Sequence, residues 1–416
     1  MESKIIINRT KPLLMHIDLN SCFATIEQQA NPLLRGKPVV VAAYATPNAF
    51  ILAPSIEAKA MGIKMGMKVR DAQAISSKVV VRSPDPPKYR DVHRKFKKIF
   101  ETYTPDVTPK SIDEAILDFR SVQNLHPDLV SVAQEIKARM KTEIGEWIRC
   151  SIGISTNMFL AKLAATLHKP DGLTVIDHKN LLETYEHAEL MDFCGINVRY
   201  KVRLNIGGIR TPLDFFHASA EHLEKRVFRS VVGRHWFTKL RGFEADPKDY
   251  PTRSIGHQYA LPKPTDDPEL LKPLLMKLCE KMGRRLRRKG YIARGIHLWF
   301  SYRGRTGWHR GRMVQSNLYT TLDLYRHAMH IFQSQPDPQV ITHMGVSCYS
   351  LTEHNERQLS LFEQDNAKAR DVAAAADKLN DVYGEFTVVP GIMMDMDKTI
   401  LDRIAFGGVR DMESYF

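Results

Sequence analysis

Apolar positions follow two rhythms over the first 178 residues. The run "LLMHIDL" (13–19) predicts a short buried strand, and "SCFATIEQQA" after it a helix capped by Asn20 or Ser21, with Glu27 inside. "KPVVVAA" predicts a second strand, "SIEAKAMG" a short helix stopped at Gly62, and "VRDAQAI" another helix. From 92 to 104 the apolar Val92, Phe96, Ile99, Phe100 and Tyr103 recur every three or four residues, the spacing of one helical face. A strand-like stretch "TPKSIDEAILDF" (108–119), a helix at about 127–144, the strand "RCSIGIS", the helix "NMFLAKLAATLH" and the strand "GLTVI" complete a mixed sheet with helices packed against it.

Between 180 and 245 the rhythm changes to short helices and turns. "FCGINVRYKVRLNIGGIRTPLDFF" reads as a helix-hairpin-helix, with a Gly turn, a helix, a second Gly turn and a helix beginning near Pro212. Such a turn can present backbone N–H groups to a phosphate, although an ordinary pair of packed helices has the same rhythm. The polar stretch "EADPKDYPTRS" (244–254) predicts a linker. After it, "DPELLKPLLMKLCEKMGRRLRRKG" predicts a helix with Asp267 as N-cap, Pro268 in its first position and Leu271, Leu274, Leu275, Leu278, Met282 and Leu286 on one face. "YIARGIHLWFSY" alternates as a strand, and "RGRTG" turns it into "WHRGRMV".

Length and charge narrow the function. At 416 residues the chain exceeds one ordinary core, and roughly two to four domains are expected. Lys and Arg outnumber Asp and Glu 60 to 47, which favours a polyanionic partner, nucleic acid first. Between Lys281 and Arg312 stand 11 Lys or Arg and no acid, interleaved with Tyr291, Trp299, Tyr302 and Trp308, so this segment is expected to track a phosphate backbone. Five scattered cysteines without a CxxC pair point to neither a disulfide framework nor a zinc site. No apolar run is long enough for a membrane span, and no secretory leader is evident at the N-terminus, so a cytoplasmic protein with no membrane partner is expected.

The chemistry is expected at carboxylates. Asp113 and Glu114 stand side by side in an otherwise apolar stretch, and Asp18 ends the first strand. Burying two adjacent carboxylates is costly without a cation, and oxygen ligands with no His or Cys beside them suit magnesium. Neighbours on a regular strand face opposite ways, so both acids reach one cation only if a turn or bulge lies near 113. Solvated or salt-bridged acids would show the same spacing.

The motifs "HIDLNSCFATIEQ", "KSIDEAILDF", "CSIGISTNMFLAKLAATLHKPDGLTVI", "RSIGHQYALP" and "VVPGIMMDMDKTILDRIAFG", in that order from about 13 to 408, resemble those of the Y-family translesion DNA polymerases of the bacterial polymerase IV and polymerase V type. The resemblance implies an α+β fold: a right-hand polymerase with a ferredoxin-like palm (1–30 and 83–178), small fingers (31–82), a helix-hairpin-helix thumb (179–245), a linker (246–253), a separate α/β little finger (254–350) and a C-terminal segment (351–416). It implies two Mg2+ ions, replaceable by Mn2+, held by Asp18, Asp113, Glu114 and the Leu19 carbonyl, and places the protein with the bacterial nucleoid. The backbone of Ser21, Cys22 and Phe23 and the side chains of Lys59 and Lys169 would meet the incoming deoxynucleoside triphosphate. Phe23 falls where the family has its steric gate against a ribose 2′-hydroxyl, while a place in its helix's core is the plainer alternative.

Two departures stand out. The fingers carry Ile56 and Lys59 where polymerase IV has a Tyr and an Arg, which is closer to polymerase V, and the thumb has Asn197 where a second turn Gly is usual. "RQLSLFEQ" (357–364) resembles the bacterial sliding-clamp pentapeptide, with Gln358 as a polar hook and Leu359, Leu361 and Phe362 as the apolar part. The expected function is low-fidelity DNA synthesis on primer-template DNA opposite damaged bases. A catalytically silent, clamp-recruited DNA-binding adaptor is the alternative, and a two-metal cyclase or nuclease on a similar palm would need neither Lys169 nor Phe23.

Overall fold

The computed structural model of the protein describes residues 6–245, 252–304, 306–353, 366–394, 396, 399 and 400. It divides into two compact units, one reaching position 248 and the next beginning at 249, inside the expected linker.

The first unit opens with β1 (Leu14–Leu19), α1 (Cys22–Ala30), β2 (Val39–Ala42), β3 (Ile51–Pro54), α2 (Ile56–Ala60), α3 (Val69–Ile75), β4 (Val80–Arg82) and α4 (Pro86–Glu101). It continues with β5 (Val107–Pro109), β6 (Glu114–Asp118), α5 (Leu129–Arg139), β7 (Cys150–Ser155), α6 (Met158–Leu167) and β8 (Leu173–Val175). Four short helices close it: α7 (Leu181–His187), α8 (Val198–Ile206), α9 (Pro212–His217) and α10 (Val232–Lys239).

The main sheet has the order β5-β6-β1-β7-β8, with β1 antiparallel to both neighbours and β7 parallel to β8. Every residue of β1 is buried, hence its nearly continuous apolar run. Met15, Ile17 and Leu19 enter a core with Phe96 and Phe100 of α4 and Ala133 and Ile136 of α5. His16 and Asp18 alternate to the opposite side, where α6 packs. Gly153, the register partner of His16, permits that packing: a Cβ there would stand 2.1 Å from the Ala161 carbonyl oxygen. The close approach brings the lysines in and after α6 over the acids.

Three local expectations needed revision. Ser21 occupies the N-cap position of α1, but its left-handed backbone (φ 52°) turns the hydroxyl away from capping, and Asn20 does not cap either. The helix expected from 92 starts at Pro86, because Asp85 accepts the Lys88 N–H at 3.2 Å and proline suits a first helical turn. The helix expected to reach about 144 ends at Arg139 and passes into a wider π turn over Met140–Ile144.

The sheet β3-β2-β4 has its own small core, with Val40, Ile51, Ala58 and Val69. Helices α7 to α10 pack around Tyr185, Phe193, Phe215, Phe216 and Trp236. Their Gly207–Gly208 turn corrects the expectation that it offers N–H groups to a phosphate. Gly207, Gly208 and Ile209 donate to the carbonyls of Arg203, Asn205 and Leu204 at 3.0–3.1 Å, and Arg210 and Thr211 donate to Asp214 at 3.0 and 2.9 Å. What this region presents is cationic side chains: a groove of about 740 Å³ lined by Arg199, Arg203, Arg226 and Arg229.

The second unit runs β9 (Ser254–Thr265), α11 (Pro268–Arg288), β10 (Tyr291–Tyr302), β11 (Gly307–Leu318), α12 (Thr321–Gln333), β12 (Ile341–Glu353) and α13 (Asn366–Tyr383). Its sheet has the order β11-β10-β12-β9, and α11 and α12 pack against it through Leu275, Leu278, Met282, Leu324 and Ile331, all buried.

The basic run from Lys281 to Arg312 is not one phosphate-facing surface. Its helical half is neutralised from a distant part of the chain: Arg287 meets Asp377 with two bonds of 2.6 and 2.9 Å, Arg284 meets Asp381 at 2.9 Å and Lys281 meets Glu385 at 3.6 Å. Arg284 and Lys281 are buried. The partners of these cations lie 90 to 104 residues further on, beyond the reach of a local charge count. Arg294, Arg303, Arg310 and Arg312 of the hairpin stay exposed. Asp377→Ala strands a guanidinium inside this unit and is expected to destabilise it by about 3 kcal/mol. A calorimetric scan with an unshifted transition would show that the Tyr319 carbonyl, 3.2 Å from Arg287, suffices.

Among the described residues no helix is long and apolar enough to cross a membrane. The cysteines are free, Cys194 exposed and the other four buried.

Candidate active site

The three acids meet at one end of the main sheet. Asp18 is the last but one residue of β1 and Glu114 the first of β6, and they are direct register partners, so their side chains share a face. Asp113 lies in the bend before β6, outside the strand alternation. The turn that adjacency required is therefore present, and the Asp113 carbonyl accepts the Leu19 N–H at 2.9 Å, tying the bend to the end of β1.

Each carboxylate rests on a different partner. Lys169 donates to Asp18 at 2.6 Å, Lys162 of α6 donates to Glu114 at 2.6 Å, and the Ser111 hydroxyl donates to Asp113. His16, buried beneath, lies 3.7 Å from Glu114. Among the described residues no group of three His, Cys, Asp or Glu is close enough to form a ready-made metal cluster. The acids are assembled at one place, while their oxygens are drawn apart onto these partners.

The electrostatics separate them further. Burial pushes Asp18 above the usual carboxylate range against the pull of Lys169, and burial does the same to Asp113 against its Ser111 bond. Glu114 is also penalised by burial, but His16 and Lys162 together outweigh that and bring it down to about 2. Asp18, buried, and Asp113, half-buried, are both disfavoured as anions, and hard carboxylate oxygens so placed suit a divalent cation.

Beside the acids lies a cavity of about 660 Å³ whose lining includes Asp18, Asp113, Ser21, Cys22, Phe23, Lys59 and Lys169. All the expected nucleotide-facing residues therefore share one wall system; Glu114 does not line it. The Ser21 hydroxyl oxygen is buried at the start of α1 without a hydrogen-bond partner, as a site for an absent polar ligand would leave it. Lys59, on α2, is lowered from the ordinary lysine range by desolvation first and by Lys169 next. Ile56 lines the same cavity, so the two unusual fingers residues both face the site.

Some contributors escaped the sequence reading. Lys162 is the lone cation in the apolar run "MFLAKLAATL", and that isolation was the available signal. Asn20 accepts the Asp171 N–H at 2.7 Å and donates to Ser151 at 3.0 Å, fixing the loop that carries Lys169. Nothing in its sequence position announces that role.

Comparison with known proteins identifies the family. The impB/mucB/samB family profile matches residues 17–166, and the profile of that family's C-terminal domain matches 252–361. DNA polymerase IV of Pelotomaculum thermopropionicum is 31% identical over 398 residues, covering 94% of this chain and 98% of that protein. The chain belongs to the impB/mucB/samB family of Y-family translesion polymerases. DNA polymerase IV of Moorella thermoacetica is 35% identical over 88% of this chain and 92% of its own. Among solved structures, a Y-family DNA polymerase chimera of Dbh and Dpo4 superposes with a TM-score of 0.72 at 22% identity, covering 82% of this chain and 99% of that one. An insertion ternary complex of Dbh DNA polymerase gives 0.56 at 21% identity. The expected α+β right-hand polymerase fold is thereby shown, and catalysis in this family depends on divalent metal.

Proposed function

We propose that the chain is a DNA-directed DNA polymerase that adds deoxynucleotides to a primer opposite damaged template. The observation that carries this reading is the register pairing of Asp18 with Glu114, with Asp113 in the adjoining bend, beside the cavity that also holds Phe23, Lys59 and Lys169. A silent adaptor would have no use for three acids gathered at one end of a sheet beside such a cavity.

In this reading the palm spans 1–30 and 83–178, the fingers 31–82, the thumb 179–245, the linker 246–253, the little finger 254–350 and a C-terminal segment 351–416. Asp18, Asp113, Glu114 and the Leu19 carbonyl hold two Mg2+ ions, for which Mn2+ can substitute. Bound metal supplies the positive charge that makes the attacking and leaving oxygens reactive. The chain's own residues do the rest. Lys169, whose ammonium already lies on a carboxylate in the cavity, takes a phosphate of the incoming nucleotide as a point charge. The start of α1 at Ser21, Cys22 and Phe23 turns N–H groups toward the same phosphates, and Lys59 adds a second cation from the fingers. The Phe23 ring stands under the sugar. The thumb groove of Arg199, Arg203, Arg226 and Arg229 and the exposed hairpin arginines Arg303, Arg310 and Arg312 hold the DNA backbone without reading its sequence.

The test is primer extension by the purified chain on an abasic template. Synthesis is expected with Mg2+ or Mn2+ and none after chelation. DNA binding without synthesis on any template would favour the adaptor.

The clamp-like Gln358, Leu359, Leu361 and Phe362 lie outside the described residues. We read them as the contact that recruits the polymerase to a bacterial sliding clamp at the nucleoid, which would raise its effective concentration at primer ends without altering the site. Replacing Leu361 and Phe362 together by Ala is expected to leave distributive extension unchanged and to abolish stimulation by a clamp. A double variant that loses basal activity would assign those side chains to the fold.

A further inference from the structure

Phe23 does not stand alone. Its ring lies flat on that of Tyr89, with centroids 4.4 Å apart and planes 10° from parallel. Tyr89 belongs to the first turns of α4 and is buried to 1% exposure, so it does not touch the open cavity. Its hydroxyl donates to Glu27 at 2.9 Å. Glu27 is itself buried and lies on α1 one helical turn beyond Phe23. Lys88, the neighbour of Tyr89, donates to both oxygens of Glu27 at 3.1 and 3.0 Å and reaches Asp85, the cap of α4, at 3.2 Å.

These contacts form a closed brace. Phe23 and Glu27 project from the same side of α1, and Tyr89 touches both, through its ring and through its hydroxyl. A stacked pair alone can slide or tilt at little cost, because aromatic contacts are broad in geometry. A ring whose far end is tied to a buried carboxylate, itself held by a lysine, cannot. Burial first, and the Glu27 charge next, push the Tyr89 phenol above its ordinary range, so it remains a donor.

Rejecting one hydroxyl group is a steric task, decided by whether the wall yields when the wrong sugar arrives. We propose that Tyr89, locked by Glu27 and Lys88, is the positioning residue that holds the Phe23 ring rigid and so sets the discrimination between deoxyribose and ribose. This inference rests on the reading of Phe23 as the gate; Tyr89 and Glu27 act through it and touch no substrate.

The test measures kcat/KM for a deoxynucleotide and for its ribonucleotide in Phe23→Ala, Tyr89→Phe, Tyr89→Leu, Glu27→Gln and the double variant Phe23→Ala with Tyr89→Leu. Tyr89→Leu is expected to lower the deoxy-to-ribo ratio about tenfold, a change of about 1.4 kcal/mol in relative barrier. Tyr89→Phe, which keeps the stack but cuts its tether, and Glu27→Gln, which keeps the stack but removes the charge that strengthens the tether and binds Lys88, are expected to lower the ratio about threefold, with the deoxynucleotide value changed less than that. The double variant should discriminate no worse than Phe23→Ala alone, as expected when one residue works through another. If Phe23→Ala leaves the ratio intact, the gate reading fails and this inference with it. If Phe23→Ala collapses the ratio while the Tyr89 and Glu27 variants keep it, or lower both substrates equally, the brace is merely structural and the inference alone is overturned. Should Tyr89→Leu fail to fold, the two conservative variants decide in the same way.

Discussion

Asp113→Asn and Glu114→Gln are each expected to abolish primer extension, with a loss of about 10²- to 10³-fold or more, while DNA affinity stays near that of the parent. The acids sit at the sheet's end, two of them lining the cavity, and none of them lines the groove of Arg199, Arg203, Arg226 and Arg229. Their expected work is to hold charge at the transition state, and the phosphates of the duplex are met elsewhere. The two variants should nevertheless part company in stability. Asp113 is raised by burial, so its ionised form costs stability at neutral pH, and Asp113→Asn should leave the metal-free protein as stable as the parent or more so. Glu114 is depressed to about 2 by His16 and Lys162. A depressed carboxylate contributes stability that is present above its unfolded value, near 4.5, and is lost as pH falls through about 2. Glu114→Gln forfeits it at neutral pH and should melt lower. Thermal scans in chelator, beside extension assays in Mg2+, read both effects. Residual extension near the parent's in either variant would remove that acid from the site.

The opposite stabilities show where sequence reading reaches and where it stops. The strand-helix rhythm of the first 178 residues was legible because each element buries one face against its neighbours, so its period is written in its own residues. The ends were less so. The start of α4 at Pro86 is set by the Asp85 cap and by the grip of Lys88 and Tyr89 on Glu27, contacts made 61 and 62 residues away in the chain. The acids could be picked out because adjacent carboxylates in an apolar stretch are costly. Which partner rests on which acid could not, since Lys162 and Lys169 reach them across 48 and 151 residues. The basic run misled for the same reason. A charge count along the chain found no acid from Lys281 to Arg312, and the acids that pair with Arg284 and Arg287 arrive on α13, folded back from far along the sequence. Residue types announce chemistry; the pairing that tunes or cancels it is a property of the fold.

Phe23→Ala is expected to reduce selection against ribonucleotides by at least about 10²-fold, bringing the two sugars toward equal use. An open pocket discriminates poorly against an added hydroxyl, by about 10² at most, whereas a wall placed where that hydroxyl must go does better. Phe23 lines the cavity near Asp18 and Lys169, and only 4% of its surface is exposed because Tyr89 covers its other face. Both descriptions of Phe23 offered by the sequence, core residue and gate, therefore hold in part, and the variant separates their consequences. As a core residue, Phe23 truncated to Ala costs about 3 kcal/mol in lost burial and a residual void, which would appear as a lower melting temperature. As a gate, it changes the ratio of ribonucleotide to deoxynucleotide kcat/KM, a quantity that global destabilisation leaves alone while the protein is folded. Phe23→Leu sharpens the distinction: it restores most of the buried volume but not the flat, stacked edge, and should recover stability while recovering little selectivity. If Phe23→Ala melts lower yet discriminates as well as the parent, the ring is packing alone, and the wall against ribose must be sought among the other cavity residues, Leu52 and Pro54 first.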